Sequence, residues 1–274
     1  MKNRRSGKGF SPRRGGAKLG QHFLTGLWAA HRLAGAVQLA RGETILEIGP
    51  GKGALTRELL TRGRVIAIEK DPNLVEGLQE TFADELRSGA LTIIAEDVRN
   101  SSPDVLGLTQ YVVAANIPYY ITGEIIRQFL TATIQPRAMA LLVQKEVADR
   151  ILARDKKESI LSLSVKVFGT PRIVAKVTRG NFSPRPNVDS AILLIDAISK
   201  KRFTDLDEAS FFKVIRAGFS SKRKFMVSNL GAMFGKATAI AACASCSIPE
   251  KSRAEDVALE QWLNLARYIN HTSG

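Results

Sequence analysis

Short runs of β-branched and aliphatic residues alternate, from Glu43 onward, with segments whose apolar residues recur at helical spacing. This alternation is typical of a parallel β-sheet that is covered by the helices connecting its strands. The runs predict strands at residues 44–49, 64–69, 91–95, 111–116, 139–144, 172–177 and 191–195. The last two could form an antiparallel edge of the same sheet. The sequence therefore predicts an α/β fold with repeated βα winding.

Segments with apolar residues at helical spacing lie between the first strands and make up the end of the chain. Residues 54–61 and 72–86 have apolar residues at helical spacing, and Asp71 with Pro72 supplies an N-cap and a first helical residue. Beyond residue 202 only helical spacing is found, which predicts helices at residues 211–219, 222–234 and 254–269.

The chain is expected to divide into three parts. Residues 1–18 form a basic tail, which we expect to be disordered because it is rich in Gly and Ser and no acidic residue precedes Glu43. Residues 19–199 form a Rossmann-like domain, and residues 200–274 form a small helical C-terminal domain. The tail favours an arm that binds nucleic acid, and a solubilising tail or a transit peptide stay open as alternatives.

The formal net charge of the 274-residue chain is +14. A surface this positive attracts polyanions, so nucleic acid is the expected partner. No run of about 18 apolar residues and no secretory signal occurs, which predicts a cytoplasmic protein that does not enter a membrane. Cys243 and Cys246 lack the further ligands of a zinc site, so we interpret them as small buried side chains and expect no metal.

A glycine-rich loop, GPGKG, follows the first predicted strand at residues 49–53. Glycine lets the backbone approach a ligand closely, and the helix that follows offers its N-terminal N–H groups. Glu69 ends the next strand, where its carboxylate can accept hydrogen bonds from both hydroxyls of a ribose. The spacing fits neither the dinucleotide fingerprint nor a P-loop. The loop predicts a nucleoside cofactor without a phosphate contact, and a tight strand-to-helix turn is the alternative.

Polar residues also follow the third and fourth predicted strands. Asp97 comes after the third strand, where it could accept a hydrogen bond from an adenine amine or could act as a cap. The fourth strand ends in Asn116-Ile117-Pro118-Tyr119. An adenine amine is a poor nucleophile, since its lone pair is delocalised into the ring. An enzyme that transfers a group to this amine must localise the lone pair.

The four residues after the fourth strand suit that chemistry. The Asn116 side-chain oxygen and the Ile117 carbonyl can together accept hydrogen bonds from the two amine hydrogens. Pro118 restrains the loop, because it fixes its own φ and disfavours helical dihedrals at Ile117. Tyr119 can stack on a base that is flipped out of its helix or loop. These residues are the predicted catalytic set, and a proline turn with surface tyrosines is the alternative.

Five ordered motifs resemble those of the ribosomal RNA adenine dimethyltransferases, which include the KsgA-type enzymes and the erythromycin-resistance methylases. The motifs are residues 19–24, 46–56, 116–120, 144–150 and 182–190. The likeness runs from about residue 18 to about residue 230. It implies a Rossmann-like methyltransferase fold, S-adenosylmethionine as the cofactor and ribosomal RNA as the partner.

The resemblance also implies roles for particular residues. Those expected to contact the cofactor are His22, Leu24, Gly49, Gly51, Glu69, Asp97 and Asn116. Phe182 is expected to lie against the target adenine, opposite Tyr119. The family commonly has Asn at the position of His22, and this departure is harmless if the backbone makes the contact.

The branch of the family decides the substrate. Residues 144–147, residues 219–224 and the helical C-terminal domain resemble KsgA-type enzymes, which dimethylate two adjacent adenosines near the 3′ end of small-subunit ribosomal RNA. We favour this substrate, within a small-subunit assembly intermediate, and expect a monomer. A large-subunit methylase that confers macrolide resistance, or an RNA-binding assembly factor on a methyltransferase fold, are the alternatives. A DNA adenine methylase is disfavoured, because no separate base-reading domain is found.

Overall fold

A computed structural model describes residues 22–272, so the predicted basic tail at residues 1–18 lies outside the described residues. The described strands are β1 (Phe23–Leu24), β2 (Thr44–Ile48), β3 (Val65–Glu69), β4 (Leu91–Ala95), β5 (Tyr111–Asn116), β6 (Met139–Gln144), β7 (Thr170–Val177), β8 (Phe182–Ser183) and β9 (Ser190–Asp196). Every strand predicted from the sequence is confirmed, with boundaries shifted by two residues at most.

A seven-stranded sheet, in the order β4-β3-β2-β5-β6-β9-β7, forms the centre of the fold. The strands from β4 to β6 pair in parallel, whereas β9 runs antiparallel to both β6 and β7. The antiparallel edge predicted from the sequence is therefore confirmed. The two short strands β1 and β8 form a separate antiparallel pair. They escaped prediction because two residues carry no readable alternation.

The helices cover both faces of this sheet and form the end of the chain. They are α1 (Leu27–Ala34), α2 (Ala54–Leu60), α3 (Pro72–Thr81), α4 (Ala83–Ser88), α5 (Thr122–Thr131), α6 (Lys145–Leu152), α7 (Ile160–Lys166), α8 (Glu208–Gly218), α9 (Met226–Phe234), α10 (Lys236–Ser245) and α11 (Leu259–Thr272). Within residues 22–272, none of these helices is long and apolar enough to cross a membrane.

The helical predictions differ from the structure at several places: the helices predicted at residues 222–234 and 254–269 begin only at Met226 and Leu259. The single helix predicted over residues 72–86 is divided into α3 and α4, because Phe82 leaves helical dihedrals and turns its ring into the core. The predicted N-cap is confirmed, since the Asp71 carboxylate accepts a hydrogen bond from the Asn73 N–H. Helix α10 was not predicted, because its run of alanines lacks apolar periodicity. It buries Cys243 but leaves Cys246 partly exposed, so the interpretation of two buried cysteines holds only for the first.

The apolar residues form two clusters, one on each face of the sheet. Along β2, Ile45 belongs to one cluster, whereas Leu46 and Ile48 belong to the other. This division follows from the pleat, which turns successive side chains to opposite faces. The cluster that contains Leu46 and Ile48 continues into the C-terminal helices through Phe211 and Trp262. The predicted domain boundary near residue 199 stays a prediction.

Trp262 is the largest fully buried side chain in the described chain. Its ring stacks on the Phe219 ring, with 5.5 Å between the two ring centroids. It also packs against Gly218, where a Cβ atom would lie 2.3 Å from the Trp262 ring. We expect Trp262→Ala to lower the free energy of unfolding by about 3–5 kcal/mol, because it leaves a cavity beneath α8. Urea unfolding followed by circular dichroism measures this loss.

The second tryptophan of the chain provides the control. Trp28 is 56% exposed at the start of α1, so Trp28→Ala should change the free energy of unfolding by no more than about 0.5 kcal/mol. Equal losses for the two variants would contradict this description of the C-terminal core.

Candidate active site

A cavity opens where the parallel strands end, as expected for an open α/β sheet. Ile48 pairs with both Ile68 and Ala115, so the next residues, Gly49, Glu69 and Asn116, share one row at the edge of the sheet. The cavity is lined by residues 22–24, 48–52, 54–55, 68–70, 74, 96–98, 116–119 and 121. Its walls are thus the loops that follow β2, β3, β4 and β5, closed by the segment around β1.

The glycine loop has the backbone conformation that only glycine adopts readily. Gly49 has φ of +67°, and a Cβ atom built on it would meet nothing within 4 Å, which leaves an open cradle above the end of β2. Gly53 has φ of +80° at the start of α2, where a Cβ atom would lie 2.5 Å from the Phe82 ring. The first glycine therefore provides space for a ligand, and the second allows close helix packing.

Glu69 is almost fully buried, and backbone groups hold its carboxylate in place. Oε2 accepts a hydrogen bond from the Gly51 N–H at 3.2 Å, and Oε1 accepts from the Lys70 N–H at 2.9 Å and the Asp71 N–H at 3.0 Å. A carboxylate has about four acceptor positions, so roughly one stays open on Oε2. A second ribose hydroxyl would therefore have to share an oxygen with a backbone N–H.

Asp97 caps the short 3-10 turn at Val98–Asn100 and lines the cavity at the same time. Its carboxylate accepts hydrogen bonds from the Arg99 N–H at 3.1 Å, from Nε at 3.0 Å and from Nη2 at 2.7 Å. The Arg99 guanidinium lowers the pKa of Asp97 to about 2. The carboxylate is therefore ionised across the physiological range and suits a hydrogen-bond donor in the cavity.

The loop after β5 is held from two sides. The Asn116 side chain donates through Nδ2 to the His22 carbonyl at 3.0 Å, so its oxygen Oδ1 is the end left to accept from a ligand. Pro118 has φ of −54° and ψ of 130°, an extended conformation that leads into the turn at Tyr119–Ile121. The half-buried Tyr119 shares a hydrogen bond of 2.8 Å with the Ser190 hydroxyl, and burial raises the pKa of Tyr119.

His22 connects three parts of the site. Its backbone carbonyl holds Asn116, its Nδ1 is 2.8 Å from the Pro184 carbonyl, and its ring lies 5.6 Å from the Tyr119 ring. The contact to Asn116 comes from the backbone, so it would exist with Asn at position 22 as well. The imidazole itself contacts the loop after β8 through Nδ1.

The structure brings most of the predicted site residues together around the cavity. Those that line it are His22, Leu24, Gly49, Gly51, Glu69, Asp97, Asn116, Ile117, Pro118 and Tyr119. Phe182 does not line the cavity, because β8 pairs it with Leu24 and its side chain is 5% exposed within the core. Its contact with a target adenine stays a prediction. Ser190, the partner of Tyr119, was not singled out from the sequence.

Sequence reasoning also missed Glu47, which lies in β2 beneath the glycine loop. It is fully buried, and neither carboxylate oxygen has a hydrogen-bond partner among the described residues. Burial raises the pKa of Glu47 to about 8; the Glu69 carboxylate raises it further, and the nearby Thr56 hydroxyl opposes the rise. The signal was present, since an acidic residue inside a buried apolar run is rare.

A larger groove, of about 1780 Å³, lies apart from these residues. It begins at Gly123, just after the predicted catalytic loop, and runs between α5–α7 and the C-terminal helices. Nine basic and seven acidic side chains line it together with apolar residues such as Phe168 and Phe212. None of the predicted site residues lines this groove.

The chain is similar to several known proteins. The family model described as Ribosomal RNA adenine dimethylase matches residues 13–271. The Ribosomal RNA small subunit methyltransferase A of Dehalococcoides mccartyi is 39% identical over 252 residues, covering 90% of this chain and 86% of that protein. The protein of the same name from Moorella thermoacetica is 38% identical over 275 residues, covering 96% and 94%. The crystal structure of the 23S rRNA methyltransferase ErmE is 25% identical with a TM-score of 0.72, covering 90% of this chain and 99% of that one.

The raised pKa of Glu47 predicts a specific pH dependence of stability. Below the unfolded-state pKa, near 4.5, both states hold the proton; between this value and about 8 only the folded state keeps it, so stability falls as pH rises. Glu47→Gln removes this slope. We expect the free energy of unfolding of Glu47→Gln, minus that of the unsubstituted protein, to increase by about 3 kcal/mol between about pH 5 and about pH 8. Urea unfolding at each pH measures this difference.

Glu80→Gln, at an exposed position on α3, serves as the matched control and should follow the unsubstituted protein at every pH. If the free energy of unfolding depended on pH in the same way for Glu47→Gln and the unsubstituted protein, Glu47 would be ionised in the folded state.

Proposed function

This chain belongs to the ribosomal RNA adenine dimethylase family, and we propose that it dimethylates the N6 amines of two adjacent adenosines near the 3′ end of small-subunit ribosomal RNA. The observation that carries the proposal is the hydrogen bond from Asn116 to the His22 carbonyl at the mouth of the cofactor cavity. It joins the predicted catalytic loop to the cavity and leaves the amide oxygen as an acceptor.

The cofactor is S-adenosylmethionine, and the residues around the cavity fit it. Its adenosine carries hydroxyl and amine donors, which match the carboxylates of Glu69 and Asp97. The open space in front of Gly49 allows the close approach of a ligand. Two carboxylates at one cavity disfavour a phosphate-bearing cofactor. We therefore assign His22, Leu24, Gly49, Gly51, Glu69, Asp97 and Asn116 to cofactor binding.

When bound, S-adenosylmethionine supplies an electrophilic methyl group on a sulfonium sulfur. The residues of the chain have to make the adenine amine nucleophilic toward it. Asn116 Oδ1 and the Ile117 carbonyl would each accept a hydrogen bond from one N–H group of the amine, which favours a tetrahedral nitrogen with a localised lone pair. The amine nitrogen would form the new bond to the methyl carbon as the bond from that carbon to the sulfonium sulfur breaks, which would leave S-adenosylhomocysteine. The amine proton would then be lost to solvent, so no general base is required before the attack.

The target base also has to be held beside this loop. Tyr119 offers an aromatic face, and its hydroxyl is restrained by Ser190. A flipped base gains about 1–3 kcal/mol from such stacking. We assign Phe182 to the opposite face of the base, a position that requires its ring to become accessible when RNA binds, because it is buried in the structure described here.

Ribosomal RNA is the partner that the family and the net charge of +14 support. The small subunit is favoured over the large one, because the two relatives with 38–39% identity are named for the small subunit, whereas ErmE, named for 23S rRNA, is 25% identical. We further propose that the chain acts as a monomer in the cytoplasm on an assembly intermediate.

Asn116→Ala tests the catalytic assignment. We expect kcat to fall about 100-fold or more, because an acceptor for the amine is lost, while the Kd for S-adenosylmethionine stays within about tenfold. Single-turnover methyl transfer and calorimetric titration measure the two effects separately. Asn264→Ala, at an exposed position on α11, is the control for the loss of a carboxamide. Full activity of Asn116→Ala would refute the assignment.

The substrate is tested with labelled S-adenosylmethionine. We expect label in unmethylated small subunits and none in unmethylated large-subunit ribosomal RNA. Nuclease digestion and mass spectrometry of the labelled RNA should then identify N6,N6-dimethyladenosine at two neighbouring positions. Label that appears only in large-subunit RNA would refute the choice of the small subunit.

A further inference from the structure

Arg99 forms a salt bridge with Asp97 from outside the cofactor cavity. The guanidinium makes a bidentate contact: Nε donates to Oδ1 at 3.0 Å, and Nη2 donates to Oδ2 at 2.7 Å. Asp97 lines the cavity, whereas Arg99 does not. The Arg99 side chain is 44% exposed, compared with 22% for Asp97. The guanidinium thus lies on the solvent side of the carboxylate.

The contact leaves Asp97 able to serve a ligand. Of its roughly four acceptor positions, the backbone N–H and Nε of Arg99 occupy two on Oδ1, and Nη2 occupies one on Oδ2. Lys70 Nζ lies farther away, at 3.9 Å from Oδ2. One acceptor position on Oδ2 therefore stays available for a donor in the cavity.

Arg99 also has an acidic neighbour on the helix that follows the predicted catalytic loop. Glu124, in the first turn of α5, lies close enough to attract its charge. Exposed ion pairs contribute only about 0–1 kcal/mol to folding. Whatever this bidentate contact contributes to folding, it restricts the orientation of the Asp97 carboxylate.

We propose that Arg99 is a positioning residue for cofactor recognition, which fixes the rotamer of Asp97 so that Oδ2 meets the adenine amine of the cofactor. The inference rests on the proposed assignment of Asp97 to that amine. Without Arg99, the carboxylate is free to rotate about its side-chain bonds, and binding has to restore the productive orientation. Arg99 never touches the cofactor and acts only through Asp97.

The test measures affinity for S-adenosylhomocysteine, a probe that does not react, by calorimetric titration of the full chain. Arg99→Ala should weaken Kd about fivefold to tenfold, and Arg99→Lys should recover part of the loss with one donor group in place of two. Arg87→Ala removes a comparable exposed arginine, paired with Asp84 on α4, and should leave Kd unchanged within about twofold. Arg99→Ala with the Kd of the unsubstituted protein would overturn the proposal.

A double-mutant cycle shows whether the effect passes through Asp97. Asp97→Ala should weaken binding, and adding Arg99→Ala to it should cost less than about twofold more, because the residue that Arg99 positions is gone. Likewise, Arg99→Ala should not weaken binding of the inosine analogue of the probe, which lacks the adenine amine. Additive losses in the cycle, or equal losses for both probes, would overturn the proposal.

These results are separate from the proposed function. If the cycle behaves as expected but the chain transfers no methyl group to small-subunit ribosomal RNA, the proposed substrate fails and the role of Arg99 stands. If methyl transfer occurs but Asp97→Ala binds the probe like the unsubstituted protein, the role of Arg99 fails and the substrate stands.

Discussion

The parallel pairing of β2 with β3 and β5 is the constraint on which the rest of the site depends. Because Ile48 pairs with both Ile68 and Ala115, the residues that follow on each strand reach the same edge of the sheet. Gly49, Glu69 and Asn116 are far apart in the chain and become neighbours only through this register. Side chains of β2 are buried on both faces, so a slip by one residue would exchange the two clusters and would be strongly disfavoured.

A second set of contacts closes the site from outside the sheet. The antiparallel pair of β1 and β8 brings His22 to the mouth of the cavity, where its carbonyl holds Asn116 and its ring approaches Tyr119. The same histidine contacts the Pro184 carbonyl in the loop after β8. The loop after β5 is thus held by the His22 carbonyl, and His22 is in turn held by the loop after β8, so the loop has a defined geometry before any ligand binds.

Three acidic residues near the cavity differ in the hydrogen-bond donors that surround their carboxyl groups. Glu69 is almost fully buried, yet three backbone N–H groups donate to it. Asp97 has an arginine as its partner, and its pKa falls to about 2. Glu47 is buried without such donors, and its pKa rises to about 8. The first two can serve as acceptors for a cofactor, whereas Glu47 is mainly protonated at neutral pH.

The sequence by itself determined the α/β class, the seven main strands and the cavity-lining positions of Gly49, Glu69, Asp97 and Asn116, because hydrophobic periodicity and glycine placement are local signals. Only the tertiary structure decided that Phe82 divides a helix, that Arg99 grips Asp97 and that Phe182 lies buried beside Leu24. Phe82 packs against Gly53 and Phe182 pairs with Leu24, which are contacts between remote segments. Arg99 is only two residues from Asp97, but the sequence left open which donor this carboxylate would take. No local pattern encodes which of several polar partners a carboxylate will find once the strands are in register.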